Sequence, residues 1–197
     1  MTEDVVGYWD AEAARFDDAP DHGLRDPAVR AAWRGLLREH LPEPPGDVLD
    51  LGCGTGSLTL LVAELGHRVA GVDIAPAMVA AARAKLTAAG ATATVELADA
   101  ADPPGRTGSY EIVVARHVLW ALPDPAAVLA RWVRVLRPGG RLILVEGRWW
   151  TGGGLTEEET RRLLEPYAAH VTTRPLADPV FWGGPVDDER YLCEARL

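Results

Sequence analysis

The chain has 197 residues, 48% of them hydrophobic and 25% charged, with a formal net charge of −9. That balance suits a single domain able to bury its own core and excludes extensive disorder. It offers no sequence-wide basic field for phosphate backbones or anionic lipid, so neither a nucleic-acid nor a membrane partner is expected. Met1-Thr2-Glu3-Asp4 is followed by no apolar run of targeting or membrane-spanning type, and Cys53 and Cys193 form neither a metal spacing nor a disulfide framework. A cytoplasmic protein, monomeric or homodimeric and without a metal, is expected.

Residues 1–45 carry two helical patterns. Val5, Tyr8, Trp9, Ala13 and Phe16 recur at helical spacing; then Asp26 reads as an N-cap, Pro27 as the first helical residue, and Val29, Trp33, Leu36, Leu37 and Leu41 as one buried face. From Asp47 onward strand and helix alternate, the pattern of a parallel sheet covered on both faces. Strands are predicted at 47–51, 68–72, 93–97, 110–115 and 141–146. The intervening helices run from Ser57 to Gly66, from Pro76 to Gly90, and from Asp124-Pro125 to about Arg137, where Pro138-Gly139-Gly140 breaks the last of them. Thr156 to Glu159 is a capping box opening a helix to about Ala168. Val171 to Thr173 and Tyr191 to Ala195 close the chain as two strands.

The stretch Val48-Leu49-Asp50-Leu51-Gly52-Cys53-Gly54-Thr55-Gly56 organises this pattern. A buried strand runs into a carboxylate and a glycine-alternating turn that opens a helix, where free backbone N–H groups and absent side chains suit an electron-rich ligand. The spacing is G-x-G-x-G and not the G-x-G-x-x-G of dinucleotide binders. Asp50 to Gly56 resembles motif I of the class I S-adenosylmethionine-dependent methyltransferases. Leu136 to Gly140 is similar to their L-x-P-G-G turn, and Tyr8-Trp9-Asp10 with Phe16-Asp17 is similar to their N-terminal lid.

The resemblance implies a Rossmann-like three-layer α/β/α sandwich with a seven-stranded sheet ordered 3-2-1-4-5-7-6, the last strand antiparallel. Residues 1–45 are then a helical lid and residues 46–197 the core. It also implies S-adenosylmethionine as cofactor, with Asp73 on ribose, Asp99 and Ala100 on adenine, and Asp50, Gly52, Cys53, Gly54 and Gly56 around the methionyl part. Trp9, Ile74, Met78 and Arg116 complete the cofactor contacts.

Methyl transfer needs mainly alignment and exclusion of water, with a general base only where the acceptor must shed a proton. His117, just past the fourth strand, and His22, in the lid, are the candidate bases. His40, His67 and His170 read as solvated surface residues. Trp9, Trp120, Trp149, Trp150 and Trp182, all in lid or strand-end segments, suit an apolar pocket for a small acceptor, and Arg116 or Arg148 could meet a substrate carboxylate. No N-P-P-Y or D-P-P-Y follows the fourth strand, where Ala115-Arg116-His117-Val118 stands instead; a small organic acceptor is therefore expected. Two rivals stay open: an NAD(P)-dependent oxidoreductase and a non-catalytic S-adenosylmethionine-binding module.

Overall fold

The computed structural model describes residues 3–197; Met1 and Thr2, where the chain opens, lie outside the described residues. Helix α1 (Glu3–Glu12), a single 3-10 turn at Phe16–Asp18 and the short α2 (Pro20–Gly23) lead to α3 (Pro27–His40). The Asp26 carboxylate accepts the amides of Ala28 and Val29 at 2.8 and 3.1 Å, as its N-cap position requires.

The core then alternates: β1 (Asp47–Leu51), α4 (Ser57–Glu64), β2 (Arg68–Asp73), α5 (Pro76–Ala88), β3 (Thr94–Leu97), β4 (Tyr110–Arg116), α6 (Pro125–Val135) and β5 (Leu136–Arg148). Helix α7 (Glu157–Leu164), β6 (His170–Pro175) and β7 (Glu189–Arg196) close it. The sheet order is β3-β2-β1-β4-β5-β7-β6, parallel except that β7 runs antiparallel to both β5 and β6. The expected seven-stranded topology is the observed one.

Period-two alternation distributes the strand side chains between two cores. Val48, Ile112, Val114, Ile143 and Val145 pack with α3 and α4 around Trp33, whereas Leu49, Leu51, Val113, Ala115, Leu142 and Leu144 pack with α6 and α7 around Trp132. Both indoles are fully buried, and each N–H is satisfied: Trp33 donates to the Phe181 carbonyl at 2.8 Å and Trp132 to that of Ala100 at 2.7 Å. These two tryptophans are packing residues. Among the described residues no helix is long and apolar enough to cross a membrane.

Four expectations need correction. Helix α6 stops at Val135 and β5 already begins at Leu136, which pairs with Tyr110 before the register shifts to Ile112 opposite Arg141. Pro138 has no N–H and forces the residue before it out of helical geometry, so the turn joins the strand as an irregularity. Helix α7 ends at Leu164 rather than near Ala168, because Pro166 cannot continue it. His67 is buried and its Nδ1 accepts the Gly46 amide at 3.2 Å. His40 is wedged against Glu194, Nδ1 to Oε2 at 2.7 Å. Of the three histidines read as solvated, only His170 is exposed.

Candidate active site

The C-terminal ends of β1, β2 and β4 open into one cavity of about 260 Å³, roofed by the N-terminal segment. This is where open α/β sheets hold ligands, at the point where strand order reverses. Asp50, Gly52, Cys53 and Gly54 come from the turn after β1; Asp73, Ile74 and Met78 come from the end of β2 and the start of α5. Ala100 follows β3, Arg116 ends β4 and His117 follows it, and Trp9 and His22 descend from the lid. Of the residues selected from sequence, Gly56 and Asp99, and the acceptor-side Arg148, Trp150 and Trp182, do not line it. Gly56 is the N-cap of α4 at φ 79°, where an added Cβ would meet that of Ala82 at 2.9 Å, so it serves helix packing. The Asp99 carboxylate accepts the Ala101 amide at 2.8 Å, fixing the turn that presents Ala100 to the cavity.

The glycine turn is held by Asp73. Its two oxygens accept the amides of Gly54 at 2.8 Å and of Ala75 at 3.0 Å, with lone pairs left for a ligand. Burial raises its pKa against the pull of these amides. Asp50 accepts the Thr59 hydroxyl at 2.6 Å, and burial pushes its carboxyl up to about 6. Gly52 sits at φ 65°, and a Cβ there would lie 2.5 Å from Val118 Cγ2. Only bare backbone fits. The charges at this end are two carboxylates, an acceptor set suited to ribose hydroxyls and a cationic group and opposed to the diphosphate of a dinucleotide.

The lid is tied down beside the same turn. Asp10 accepts the Ala77 amide at 2.7 Å at the N-terminus of α5. Asp17 accepts the Thr55 hydroxyl at 2.5 Å and pairs with Lys85 Nζ at 2.9 Å, while Lys85 also donates to Ser57 at 2.6 Å. Phe16 stacks on His22 with ring centres 4.2 Å apart, and Trp9 meets Phe16 edge-on at 6.1 Å.

The segment after β4 forms the other side. His117 takes φ 60°, a left-handed conformation uncommon for a residue with a side chain, and its amide donates to the Val145 carbonyl at 2.8 Å. Its ring lies edge-on to Trp149 at 4.7 Å and stacks on Trp182 at 5.9 Å. Burial, helped by the charge of Arg116, holds His117 well below the ordinary histidine range, and its Nε2 is buried without a hydrogen-bond partner. Burial also lowers His22. Both imidazoles are neutral at pH 7.

One residue that shapes this wall stands at a strand end but received no role from sequence. Glu146, fully buried on β5, accepts the amides of Val118 at 3.1 Å and Leu119 at 2.8 Å through Oε1, while Oε2 has no partner. Burial pushes its carboxyl up to about 8, so it is protonated at neutral pH. A single carboxylate ending the apolar run Leu142 to Val145 was the available signal. Phe16, Trp120 and Trp149 also line the cavity, whereas Trp150 is 88% exposed.

Residues 49–144 match the family described as "Methyltransferase domain". Nocamycin O-methyltransferase of Saccharothrix syringae is 43% identical over 142 residues, which are 70% of this chain and 46% of that protein. A ubiquinone biosynthesis O-methyltransferase of Xanthomonas axonopodis pv. citri is 32% identical over 70% of this chain and 54% of that protein. The chain thus spans about half the length of these relatives. Magnesium protoporphyrin IX methyltransferase of Synechocystis, solved with bound SAM, is 25% identical with a TM-score of 0.67, covering 85% of this chain and 77% of that one. The [4+2]-cyclase SpnF shares the fold at a TM-score of 0.73 and 21% identity, over 85% of this chain and 80% of that one.

Proposed function

Because the chain belongs to the class I S-adenosylmethionine-dependent methyltransferases, we propose that it binds S-adenosylmethionine and catalyses methyl transfer to an oxygen of a small organic acceptor. The observation that carries this reading is the joining of two unlike surfaces in one cavity. A bare glycine turn braced by Asp73 faces an aromatic wall of Trp149, Trp120 and His117. Oxygen is favoured as the acceptor atom because both relatives named above are O-methyltransferases.

In this reading Asp73 accepts the ribose hydroxyls, Ala100 backs the adenine with Asp99 shaping its turn, and Gly52, Cys53, Gly54 and Asp50 surround the methionyl part. Trp9, Ile74, Met78 and Arg116 flank it. Bound there, S-adenosylmethionine supplies an electrophilic methyl on a positively charged sulfur, which the nearby carboxylates tolerate. The chain's own work is alignment and dryness: residues 1–45 act as a lid, tied down through Asp10 and Asp17, that excludes water while the acceptor lies against Trp149 and Trp120. His117 and His22 are neutral and able to accept a proton from a hydroxyl acceptor, each as a weak base. No nucleic-acid or membrane partner is invoked. Both cysteines are free, in keeping with a reduced cytoplasm, and a monomer or homodimer suffices.

Calorimetric titration with S-adenosylmethionine, S-adenosylhomocysteine and NADH tests this directly. Micromolar binding of the first two and none of the third is expected; binding of NADH alone would return the glycine turn to the oxidoreductases. Binding of S-adenosylmethionine without methyl release to any small acceptor would favour the non-catalytic module.

A further inference from the structure

The ionic groups of the cavity fall into two sets: Asp50 and Asp73 at the glycine turn, and Arg116 with His22 and His117 where β4 meets the lid. Arg116 stands out among them. Its guanidinium lies over the Trp33 ring, 5.0 Å from the ring centre, and Nη1 donates to the backbone carbonyl of Asp21 at 2.5 Å. Among the described residues no carboxylate lies within ion-pairing distance of it. Arg190, the other guanidinium against the same aromatic cluster, sits 4.3 Å from the Trp182 ring centre and is neutralised by Asp188 at 2.7 Å.

A guanidinium packed in protein, with one neutral acceptor for five N–H donors, keeps both charge and hydrogen-bonding capacity to be met from elsewhere. The cavity it lines is the available source. Neither imidazole beside it provides a counter-charge; the carboxylates of Asp21 and then Asp50 favour its charged form without ion-pairing to it, and Asp50 is also engaged by Thr59 at 2.6 Å. Trp120, Trp149 and His117 line the same cavity as this cation and pack edge-on to one another, Trp120 to Trp149 at 81° and His117 to Trp149 at 72°. They give the cavity an aromatic wall, against which a flat apolar body can lie. The complementary ligand is flat and apolar and carries an anionic oxygen.

We infer that Arg116 anchors an anionic oxygen of the methyl acceptor, and that the acceptor is an organic acid (a carboxylic acid, enol or phenol) on a flat apolar frame. This deepens, and rests on, the methyltransferase reading. Arg116 is thereby a residue that sets acceptor specificity, and its bond to Asp21 couples anion binding to the lid.

The test uses 2-naphthoate and its uncharged counterpart 2-naphthamide, titrated by tryptophan fluorescence into protein saturated with S-adenosylhomocysteine. The wild-type chain is expected to bind the acid about tenfold or more tightly than the amide, as one charge-assisted contact implies. Arg116→Gln should abolish the ratio and Arg116→Lys should keep most of it. Equal affinities in the wild type, no detectable naphthoate binding at millimolar concentration, or a ratio surviving in Arg116→Gln would overturn the inference. Should Arg116→Gln fail to fold, the wild-type ratio still decides.

A further arm compares S-adenosylhomocysteine with 5′-methylthioadenosine, which lacks the amino-acid end. If Arg116→Gln loses discrimination between these two yet keeps the naphthoate preference, the anion belongs to the cofactor and the inference is overturned. If the wild type binds no S-adenosylhomocysteine, the methyltransferase reading fails separately, and the naphthoate ratio is then read on the unliganded protein.

Discussion

The two ends of the cavity are assembled by different means. At the glycine turn, Asp50 to Gly54 and Asp73 to Met78 are short contiguous stretches at the ends of adjacent parallel strands, and Asp73 reaches one strand over to bind Gly54. At the acceptor end, Phe16, His22, Arg116, His117, Trp149 and Trp182 come from five separate segments that meet only because β4, β5 and the lid converge. The proposed cofactor site is thus written locally, in a strand-turn-helix unit, and the proposed acceptor site is written in the tertiary packing. The first tolerates variation elsewhere in the chain; the second changes with any one contributing loop.

Perturbations ordered by size sharpen this contrast. The largest effect belongs to Asp73→Ala, which deletes the acceptor for two amides along with the proposed ribose contact. Affinity for S-adenosylhomocysteine should fall well over tenfold by calorimetry, on the order of two charge-assisted hydrogen bonds. Unchanged affinity would remove the local unit from cofactor binding. Gly52→Ala strikes the junction of the two ends, since its Cβ would press on Val118 from a φ of 65°. A loss of about 1–3 kcal/mol in denaturant unfolding is expected, and a neutral result would show that the turn and the segment after β4 move independently.

Asp17→Ala releases the lid without touching either end directly, and leaves Lys85 with hydroxyl partners only. Limited proteolysis between α1 and α3 should accelerate severalfold, with a stability loss of about 1–2 kcal/mol. Proteolysis at the wild-type rate would mean that the lid is held without Asp17, by its aromatic contacts and the Asp10 and Asp21 hydrogen bonds.

The smallest effect at neutral pH is that of Glu146→Gln. The folded-state pKa of Glu146, about 8, lies above its ordinary value of 4.5. Its protonated form therefore contributes stability that is complete below pH ~4.5 and is lost as pH rises through about 8. Gln keeps the acceptor for Val118 and Leu119 without that titration. Melting temperatures of the two proteins should be close near pH 5, with the wild type falling behind by several degrees near pH 9. Parallel profiles would show that Glu146 titrates near its ordinary value.

What was legible in the sequence follows the same division. The seven-strand order came with the methyltransferase resemblance, and the meeting of Gly52, Gly54 and Asp73 at one turn was readable because the residues are consecutive or sit at strand ends. Gly56 does not line the cavity, and a glycine needed for helix packing against Ala82 looks the same in sequence as one needed for a ligand. Asp99 follows the expected strand, and its carboxylate accepts an amide of its own turn. His40 and His67 looked solvated because their partners, Glu194 and Gly46, are distant in sequence or part of the backbone. Glu146 and the Arg116 contact to Asp21 depend on approaches across the sheet and from the lid, which no periodicity reports.

Amide hydrogen exchange with and without S-adenosylhomocysteine tests most directly whether the local unit is a cofactor site closed by the lid. Slowed exchange is predicted in 51–57, 73–78 and 98–101, extending into 8–23 as the lid closes, with NADH giving no protection. Protection by NADH, or protection by S-adenosylhomocysteine confined to segments away from the glycine turn, would contradict it.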